Sequence, residues 1–472
     1  MMSTLHVRAA EDLRGRHAVV LGLARSGVAA ARFLADHHAH VTAYDRRPAD
    51  DLGDAIEALG GRAIRLELGV NEARATAVLA DADLLVTSPS VSPRFPTTDP
   101  WLREALLAAE ERGTEIVSEV GLFLRLARAR ILGVTGTKGK TTSTALVAAM
   151  LAEAGLPAVM GGNIGSPLIE RALELGPDDW VVLELSELQL PTIQRGADIA
   201  LYTNIGADHL DRHGSVEEYR AVKARLAELS VPNGIIVLNH DDPGSRELGT
   251  RLPPDSVVWY GLEPPAEMDL TGTVDANGWV VVRGERVVAV EDVPLPGRHM
   301  LANVIGASVA ARLAGAEIAP IATAIRRFAG VPHRLETVGV QRGVRWVNDS
   351  QATIPVAAIA ALEAFPMPIV VIAGGQGKGL DQVAFAEAIV TSCRAAVLIG
   401  ETATELESLI GSRLPVQRAG SMVEAVALAA ALAEPGDVGL LAPAAASFDM
   451  FADYAARGDA FREAVAALDG DR

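Results

Sequence analysis

The chain passes from an apolar run into a glycine-rich turn and an alanine-rich segment at Ile131-Leu-Gly-Val-Thr-Gly-Thr-Lys-Gly-Lys-Thr-Thr142. A strand, a turn and a helix in this order form an anion cradle of backbone N–H groups. Lys140 would reach the terminal phosphates of a nucleotide, and the Thr141 hydroxyl would ligate Mg²⁺. The strict phosphate-loop pattern has glycine where Val134 stands, so the alternative is a glycine-rich turn with a solvated lysine. The order of elements favours the nucleotide site.

Outward from this stretch, short Val/Ile/Leu runs alternate with alanine-rich segments of helix length. That alternation is typical of parallel sheets with crossover helices. The length of 472 residues, at roughly 150 residues per domain, predicts about three domains. We expect an α/β protein with a Rossmann-like domain over 1–128, a P-loop-type ATPase domain over 129–328 and a Rossmann-like domain over 329–472.

These three predicted domains are the first, second (central) and third blocks of the chain. The second block has a less regular half. It continues through a Pro/Gly-rich stretch from Leu252 to Asp269. A hairpin is predicted near Val274 to Val290. A helix is predicted from about Ala302 to Leu313.

Composition excludes several classes of protein. With 60 acidic and 42 basic residues the net charge is −18, which argues against a nucleic-acid-binding protein. A single cysteine, Cys393, excludes an internal disulfide framework and a cysteine-rich zinc site. No apolar run approaches the roughly 18 residues of a membrane span. Glu11 and Asp12 stand where a signal peptide would be apolar, so we expect a cytoplasmic protein.

The first block carries a glycine motif that resembles a dinucleotide fingerprint. Gly22-Leu-Ala-Arg-Ser-Gly27 follows a strand predicted from His17 to Leu23, and Asp45 ends the next strand. Ala24 stands where a middle glycine would let the backbone approach a pyrophosphate. The motif alone is consistent with NAD, another nucleotide or only a tight turn.

The central block contains candidate ligands for a hard cation. Glu184 interrupts an apolar strand, and a charge there needs a partner. The segment with Asp208 and His209 follows another strand and precedes Tyr219 and Lys223 on a helix. These residue types suit a metal ion beside bound ATP. The alternative for His209 is a capping or hydrogen-bonding role.

The third block places polar groups after its strands. Arg334 suits phosphate or purine contact, because its guanidinium is planar and permanently charged. Lys378 lies in a glycine-rich loop and Ser447 follows another strand, at the sheet edge where open sheets bind ligands. The alternatives are a solvated linker charge for Arg334 and a surface turn for the loop.

The order of these motifs resembles the Mur ligases, the ATP-dependent amide-forming enzymes of peptidoglycan precursor synthesis, over essentially the whole chain. The motifs are TGTKGKTT (135–142), GGNIGSP (161–167), LELSELQL (183–190), DHLDRHG (208–214), the Tyr219 and Lys223 pair, HRLE (333–336), NDSQAT (348–353), AGGQGKGLD (373–381) and PAAASFDMFADYAARGDAF (443–461).

The resemblance implies three ligand sites. The UDP-substrate site would comprise Ser26, Asp45, Arg47, Asn163 and Ser186. The ATP site would comprise Gly136, Thr137, Lys138, Gly139, Lys140, Thr141, Thr142, Asn303, His333, Arg334 and Asp349. The glutamate site would comprise Thr353, Lys378, Ser447 and Tyr454.

The resemblance also implies the catalytic groups, which are Lys140, Glu184, His209 and Lys223. Two Mg²⁺ ions would be held by Thr141, Glu184, His209 and Lys223, the last as a carbamate. Carbamylation needs a neutral amine first, so Lys223 should be partly buried.

The implied reaction joins glutamate to UDP-N-acetylmuramoyl-L-alanine through an acyl phosphate, in a monomeric enzyme. The family's commoner NDSKATN motif has become NDSQAT followed by Ile354, and LELSSFQL has become LELSELQL with Glu187. These departures leave D-glutamate, L-glutamate or another amino acid open as the substrate. From other classes, a nicotinamide oxidoreductase and a non-catalytic ATP-binding switch are the alternatives.

Overall fold

The computed structural model describes most of the chain. The described residues are 7–95, 97–206, 215–263, 265, 268–295, 297–328, 330–377 and 379–468. Within them, no helix is long and apolar enough to cross a membrane. The chain divides into two compact units, Met1–Phe328 and Ala329–Arg472.

The first unit begins with a parallel sheet whose described strands have the order β3-β2-β1-β4-β5. Its strands are β1 (His17–Leu21), β2 (His40–Asp45), β3 (Ile64–Leu68), β4 (Leu84–Thr87) and β5 (Glu115–Ser118). Its helices are α1 (Arg25–Asp36), α2 (Gly53–Ala58), α3 (Glu72–Ala80), α4 (Pro100–Glu111) and α5 (Glu119–Leu126). Because all of these strands run in one direction, their carboxyl ends share one edge of the sheet.

The same unit contains a larger sheet, with the described order β14-β13-β12-β11-β10-β9-β6-β8-β7. Its strands are β6 (Arg130–Thr135), β7 (Ala158–Gly162), β8 (Trp180–Glu184), β9 (Ile199–Tyr202), β10 (Ile235–Asn239), β11 (Val257–Tyr260), β12 (Gly272–Val274), β13 (Trp279–Val282) and β14 (Glu285–Ala289). Its helices are α6 (Lys140–Glu153), α7 (Val216–Glu228), α8 (Pro243–Gly249), α9 (Arg298–Leu313) and α10 (Ile318–Arg327). Strands β6 to β12 pair in parallel, and β12 to β14 pair antiparallel.

Sequence patterns located most of this sheet, but strands β7 and β11 were not predicted. The predicted hairpin is confirmed as β13 and β14. Strand β11 lies inside the Pro/Gly-rich stretch and was not predicted, because Val257-Val-Trp-Tyr260 is short and is bounded by turn-forming residues. Helix α9 begins at Arg298, one turn before the predicted start.

The second unit has a mixed sheet with the described order β15-β16-β20-β17-β18-β19. Its strands are β15 (Glu336–Gln341), β16 (Val344–Asn348), β17 (Ile369–Gly374), β18 (Cys393–Ile399), β19 (Val416–Ala419) and β20 (Val438–Leu441). Its helices are α11 (Pro355–Glu363), α12 (Val383–Ser392), α13 (Ala403–Ile410), α14 (Met422–Leu432) and α15 (Tyr454–Ala467). Only the β15–β16 pair is antiparallel among these described strands. The α/β class is therefore confirmed in both units, and the domain limits stay a prediction.

A buried carboxyl joins the two sheets of the first unit. Glu119, at the start of α5, accepts hydrogen bonds from the backbone N–H groups of Leu168 and Ile169, both at 2.9 Å. Burial raises the pKa of Glu119 to about 7, against the lowering effect of these two bonds. The folded protein therefore holds this proton more tightly than the unfolded chain does.

We predict that Glu119→Gln stabilises the protein progressively as the pH rises from 5 to 8. Ionisation of the buried carboxyl costs stability between its unfolded pKa of 4.5 and its folded pKa of about 7. The neutral amide keeps the acceptor oxygen and avoids this cost, which amounts to about 2–3 kcal/mol over this pH range. Thermal unfolding of both proteins at the two pH values measures the effect. The exposed Glu57→Gln is the control, and an equal melting shift for Glu119→Gln at both pH values would contradict the prediction.

Candidate functional site

Two glycines allow the turn between β6 and α6. Gly136 has a φ of 152°, and a side chain there would collide with the Thr203 hydroxyl. Gly139 caps α6 with a φ of 84°, and a Cβ atom there would lie 2.6 Å from Asn303 Oδ1. The turn therefore brings Asn303, a predicted nucleotide contact, against the loop. Backbone N–H groups at the start of α6 are the kind of donors that bind an anion, so the anion site stays a prediction.

The loop lysine lies across this turn. Lys140 Nζ donates hydrogen bonds to the carbonyl oxygens of Gly136 at 3.1 Å and Thr137 at 3.0 Å. Thr141 and Thr142 follow it in the first turn of α6 and are buried. The Lys140 ammonium, the N-terminus of α6 and the residues Thr141 and Thr142 therefore lie together. These are the groups that the sequence predicts to bind phosphate and metal.

Neighbouring segments hold the loop in place. The Thr137 hydroxyl accepts hydrogen bonds from the backbone N–H of Gly206 at 2.9 Å and from the Tyr219 hydroxyl at 3.0 Å. The backbone N–H of Lys138 donates to Asn204 Oδ1 at 3.0 Å, and the Lys138 side chain is exposed. Lys138 therefore adds a positive charge on the solvent side of the loop.

Glu184 ends β8 beside the phosphate loop, in register with Val134 of β6. Its side chain is 1% exposed, and its Oε1 accepts a hydrogen bond from Asn163 Nδ2 at 2.8 Å. Its Oε2 is buried and accepts no hydrogen bond from the described residues. A buried carboxylate oxygen needs a positive partner.

An oxygen-binding divalent cation fits this position. Mg²⁺ is typically held by one or two carboxylates together with substrate phosphates and water. The described residues contain no group of three or more His, Cys, Asp or Glu side chains that could hold a metal ion. Glu184 and Thr141 would supply the few protein ligands of such a Mg²⁺ ion, and the nucleotide phosphates would supply others.

Lys223 is fully buried on α7, more completely than the predicted partial burial. Its Nζ lies 3.4 Å from Thr135 Oγ1 and 3.9 Å from Glu187 Oε2, and 5.4 Å from the centre of the Tyr219 ring. Sequence reasoning noted Glu187 only as a departure from the family pattern and missed its pairing with Lys223. Glu187 is itself buried, so it neutralises the ammonium form of the lysine inside the protein.

Ser186 lies between these groups in a closed turn. Its backbone N–H and its hydroxyl donate to Gln189 Oε1 at 3.0 and 3.2 Å. These two hydrogen bonds close the turn that follows β8. Leu188, in the same turn, also lines the cavity described next.

The carboxyl edge of the first sheet borders a cavity of about 920 Å³. Gly22, Asp45 and Ser88, which lie at or just after the ends of β1, β2 and β4, line this cavity. Arg47 also lines it, whereas Ser26 lies in the first turn of α1 and is not among the lining residues. This is the edge at which parallel sheets bind ligands.

Asp45 organises this edge through four hydrogen bonds. The backbone N–H groups of Leu23 and Arg47 donate to it at 2.8 and 3.0 Å, and the Arg47 guanidinium donates at 3.1 and 2.9 Å. Burial would raise the pKa of Asp45, but these hydrogen bonds outweigh it and lower the pKa. The four donors occupy the acceptor positions of the carboxylate. A ligand hydroxyl would reach Asp45 only by displacing Arg47.

The second unit has its own cavity, of about 330 Å³, lined in part by Arg334, Asp349 and Gln351. Burial raises the pKa of Asp349 to about 6, although the Leu335 N–H donates to it at 2.9 Å. Next to this cavity in sequence, His333 is buried, and burial lowers its pKa. His333 and Arg334 precede β15, and Asp349 follows the antiparallel strand β16. The three predicted ATP contacts of this unit therefore lie at one edge of the sheet.

The predicted glutamate contacts lie on loops of the same unit. Ser447 is 2% exposed and follows Ala446, which pairs with Gln376. Tyr454 begins α15, and its carbonyl oxygen accepts a hydrogen bond from the Ser350 hydroxyl at 2.7 Å. The backbone N–H of Thr353 donates a hydrogen bond to the carbonyl oxygen of Gln351 at 2.8 Å.

Sequence reasoning missed Arg457, which ties these loops together. Its guanidinium is fully buried and donates to Ser350 O and Oγ and to the carbonyl oxygens of Ala445 and Ala446, at 2.9–3.2 Å. Burial lowers the pKa of Arg457 to about 10. The sign of this residue in the sequence was the arginine of the ARGD run. Because a charged residue on a helix is usually exposed to solvent, the run did not predict a buried side chain.

Two predicted site residues, His209 and Lys378, lie outside the described residues. Their predicted roles in the metal site and the glutamate site stay predictions.

Family models match three consecutive segments of the chain. Residues 16–118 match the Mur ligase MurD-like N-terminal domain, residues 134–311 the Mur ligase middle domain, and residues 333–445 the Mur ligase glutamate ligase domain. The match thus covers both sheets of the first unit and most of the second unit.

Curated relatives match at full length. The UDP-N-acetylmuramoylalanine–D-glutamate ligase of Solibacter usitatus is 40% identical over 97% of this chain and 99% of its own. The enzyme of the same name from Symbiobacterium thermophilum is 38% identical over 96% of this chain and 98% of its own.

Among solved structures, UDP-N-acetylmuramate–alanine ligase MurC from Thermotoga maritima has a similar fold. The TM-score is 0.55 at 18% identity, over 95% of this chain and 98% of that one. The full-length relatives and the three family models together show that the chain belongs to the Mur ligase family, as an ATP-dependent amide-forming ligase of the MurD type.

Proposed function

We propose that the protein joins D-glutamate to UDP-N-acetylmuramoyl-L-alanine at the expense of ATP, in peptidoglycan precursor synthesis. The observation that carries the proposal is the buried Glu184 oxygen at the phosphate loop, which has no hydrogen-bond donor among the described residues. It marks a cation-assisted nucleotide site. The relatives named above carry the substrates in their names, and their full-length similarity supports the same substrates here.

Each domain receives one ligand in this proposal. Residues 1–128 hold the UDP group, with Ser26, Asp45 and Arg47. Residues 129–328 hold ATP on the phosphate loop, and residues 329–472 bring glutamate, with Thr353, Lys378, Ser447 and Tyr454. His333, Arg334 and Asp349 contact the nucleotide from the third domain.

The reaction has two steps. The alanine carboxylate of the UDP-substrate attacks the γ-phosphorus of ATP, which forms an acyl phosphate and releases ADP. The amine of glutamate then attacks the acyl carbon, loses a proton and expels phosphate as the amide forms. Lys140 and the N–H groups of the loop bind the phosphate charge, and Asn163 with Ser186 positions the carboxylate.

Two Mg²⁺ ions would neutralise the charge on the transferring phosphoryl group. Thr141 and Glu184 would hold one ion, and His209 with the carbamate of Lys223 would hold the other. Glu187 pairs with the amine of Lys223, so carbamylation requires that this amine lose both its proton and that partner.

L-glutamate is the second candidate substrate. Gln351 stands where the family's commoner motif has a lysine, so one cation is absent from the edge that carries Arg334 and Asp349. We further propose a monomeric, cytoplasmic enzyme, consistent with the acidic composition.

We predict that the purified protein releases phosphate from ATP only when UDP-N-acetylmuramoyl-L-alanine and D-glutamate are both present. The acyl phosphate forms on one substrate and is consumed by the other, so omission of either stops turnover. A phosphate-release assay with each component omitted in turn measures this. L-glutamate in place of D-glutamate is the matched control, and turnover with it would select the second candidate.

ATP hydrolysis in the absence of the two substrates would contradict the ligase proposal. So would a lack of hydrolysis under every combination of components.

We predict that Lys223→Ala lowers kcat by about a hundredfold or more, because the second metal site loses an anionic ligand. Short-chain carboxylates such as acetate or propionate should restore part of the activity by occupying the vacated volume. Lys223→Arg is the control, since it fills the volume and cannot form the carbamate, and it should not respond to carboxylates. A fully active Lys223→Ala protein would refute the role.

A further inference from the structure

A buried tyrosine hydroxyl contacts the backbone of α7 at Lys223. Tyr202 ends β9, and its side chain is fully buried. Its hydroxyl donates a hydrogen bond to the carbonyl oxygen of Lys223 at 2.8 Å and accepts one from the backbone N–H of Ala227 at 2.9 Å. In an α-helix two such backbone groups, four residues apart, are hydrogen-bonding partners of each other. The Tyr202 hydroxyl therefore binds both members of one backbone pair of α7.

This hydroxyl adds a directional contact to packing that is otherwise apolar. Tyr202 belongs to the core cluster that also contains Ala224, Leu226 and Ala227 of α7. Apolar contacts are non-directional, so they permit small shifts of a helix along or around its axis. Two hydrogen bonds to one backbone pair oppose both movements, because their distances and angles are restricted. Burial raises the pKa of the Tyr202 phenol above its ordinary value, so the hydroxyl keeps the proton that it donates.

The amine of Lys223 contacts the strand next to β9. Lys223 Nζ lies 3.4 Å from Thr135 Oγ1, and the Thr135 hydroxyl donates its own hydrogen to the carbonyl oxygen of Leu185 at 2.8 Å. Thr135 ends β6 and is in register with Tyr202 of β9. The carbonyl and the amine of Lys223 thus contact two residues that are paired across neighbouring strands. Because Gly136 follows Thr135 directly, this pair relates the position of Lys223 to the phosphate loop.

A second tyrosine hydroxyl attaches α7 one turn earlier. The Tyr219 hydroxyl donates to Thr137 Oγ1 of the phosphate loop at 3.0 Å. Tyr219, Lys223 and Ala227 are each four residues apart, so they lie along one face of α7. This face is therefore attached to the loop one turn before Lys223 and to β9 at Lys223 itself. The second attachment is the one that depends on the Tyr202 hydroxyl.

We propose that Tyr202 is a positioning residue of the metal site, whose hydroxyl sets the place of Lys223 beside the phosphate loop. The inference rests on the proposed function, in which Lys223 holds one of two Mg²⁺ ions as a carbamate. Tyr202 acts through the backbone of Lys223 and not through contact with a substrate. A misplacement of about 1 Å in an active site costs on the order of a hundredfold in rate, so loss of the hydroxyl should lower kcat.

The variant Tyr202→Phe of the full-length protein tests the proposal. It keeps the aromatic ring in the core and removes only the hydroxyl. The carbonyl of Lys223 and the N–H of Ala227 can still bond to each other, so no buried backbone group loses its partner. We expect kcat of the ligase reaction to fall about tenfold, with the KM values for ATP, UDP-N-acetylmuramoyl-L-alanine and D-glutamate within a few-fold of wild type. The stoichiometry of ATP binding relates each kcat to the amount of folded enzyme.

Tyr260→Phe is the matched control. Tyr260 is also fully buried, and its hydroxyl donates to the carbonyl oxygens of Tyr202 at 3.0 Å and Thr203 at 3.4 Å, at the end of β9. The substitution removes a buried hydroxyl from the same part of the protein and leaves the two bonds from Tyr202 to α7 in place. We expect Tyr260→Phe to lower the melting temperature at least as much as Tyr202→Phe does, and to keep kcat within about twofold of wild type.

A second readout follows Lys223 itself, without substrates. The protein is incubated with isotopically labelled bicarbonate, and the carbamate carbon is detected by NMR. Lys223→Arg assigns the signal, because it should abolish it. We expect a smaller signal in Tyr202→Phe, since a displaced amine lies away from the neighbours that hold the carbamate, and an unchanged signal in Tyr260→Phe.

The outcomes separate the positioning role from the proposed function. Wild-type kcat or an undiminished carbamate signal in Tyr202→Phe would overturn the positioning role and leave the proposed function intact. An equal loss of kcat in Tyr260→Phe would overturn it as well. A wild-type protein that forms no carbamate would overturn the assignment of Lys223 in the proposed function, and the kcat values of the two variants would then decide the role of Tyr202.

Discussion

A buried carboxylate with one oxygen unpaired is the constraint on which the catalytic part of the structure depends. Glu184 lies at the end of an apolar strand, beside the phosphate loop, and Asn163 satisfies only one of its oxygens. An isolated charge in such a place costs stability unless a cation joins it. The fold therefore holds a position that favours a metal-bound nucleotide. The closed turn at Ser186 and the loop glycines keep that position fixed.

Recognition in this protein is local. The net charge of −18 opposes the binding of ATP, the UDP-substrate and glutamate, because each of them is an anion. The groups that would bind them are helix N-termini, glycine-rich turns and a few placed cations such as Lys140 and Arg334. Buried groups beside these sites, including the Glu187 and Lys223 pair and Arg457, act over short distances at which solvent screening is weak. Overall charge thus describes the surface and has little influence on the sites.

Sequence patterns predicted what local order and spacing determine. The strand–turn–helix at Lys140 and an apolar strand that contains Glu184 are confirmed. Lys223 is buried more completely than predicted. Strand β11 was missed because its four residues gain their stability from neighbouring strands, which no local pattern reports. Arg457 was missed because its partners are carbonyl oxygens distant in sequence.

The most direct measurement is the magnesium dependence of ATP binding to the wild-type protein and to Glu184→Gln. The amide keeps the size of the side chain and the acceptor for Asn163 but removes the charge. We expect magnesium to tighten ATP binding to the wild type and to the exposed-surface control Glu174→Gln. In Glu184→Gln the metal-free affinity should be retained and most of the tightening lost. Undiminished tightening by magnesium in Glu184→Gln would contradict the account.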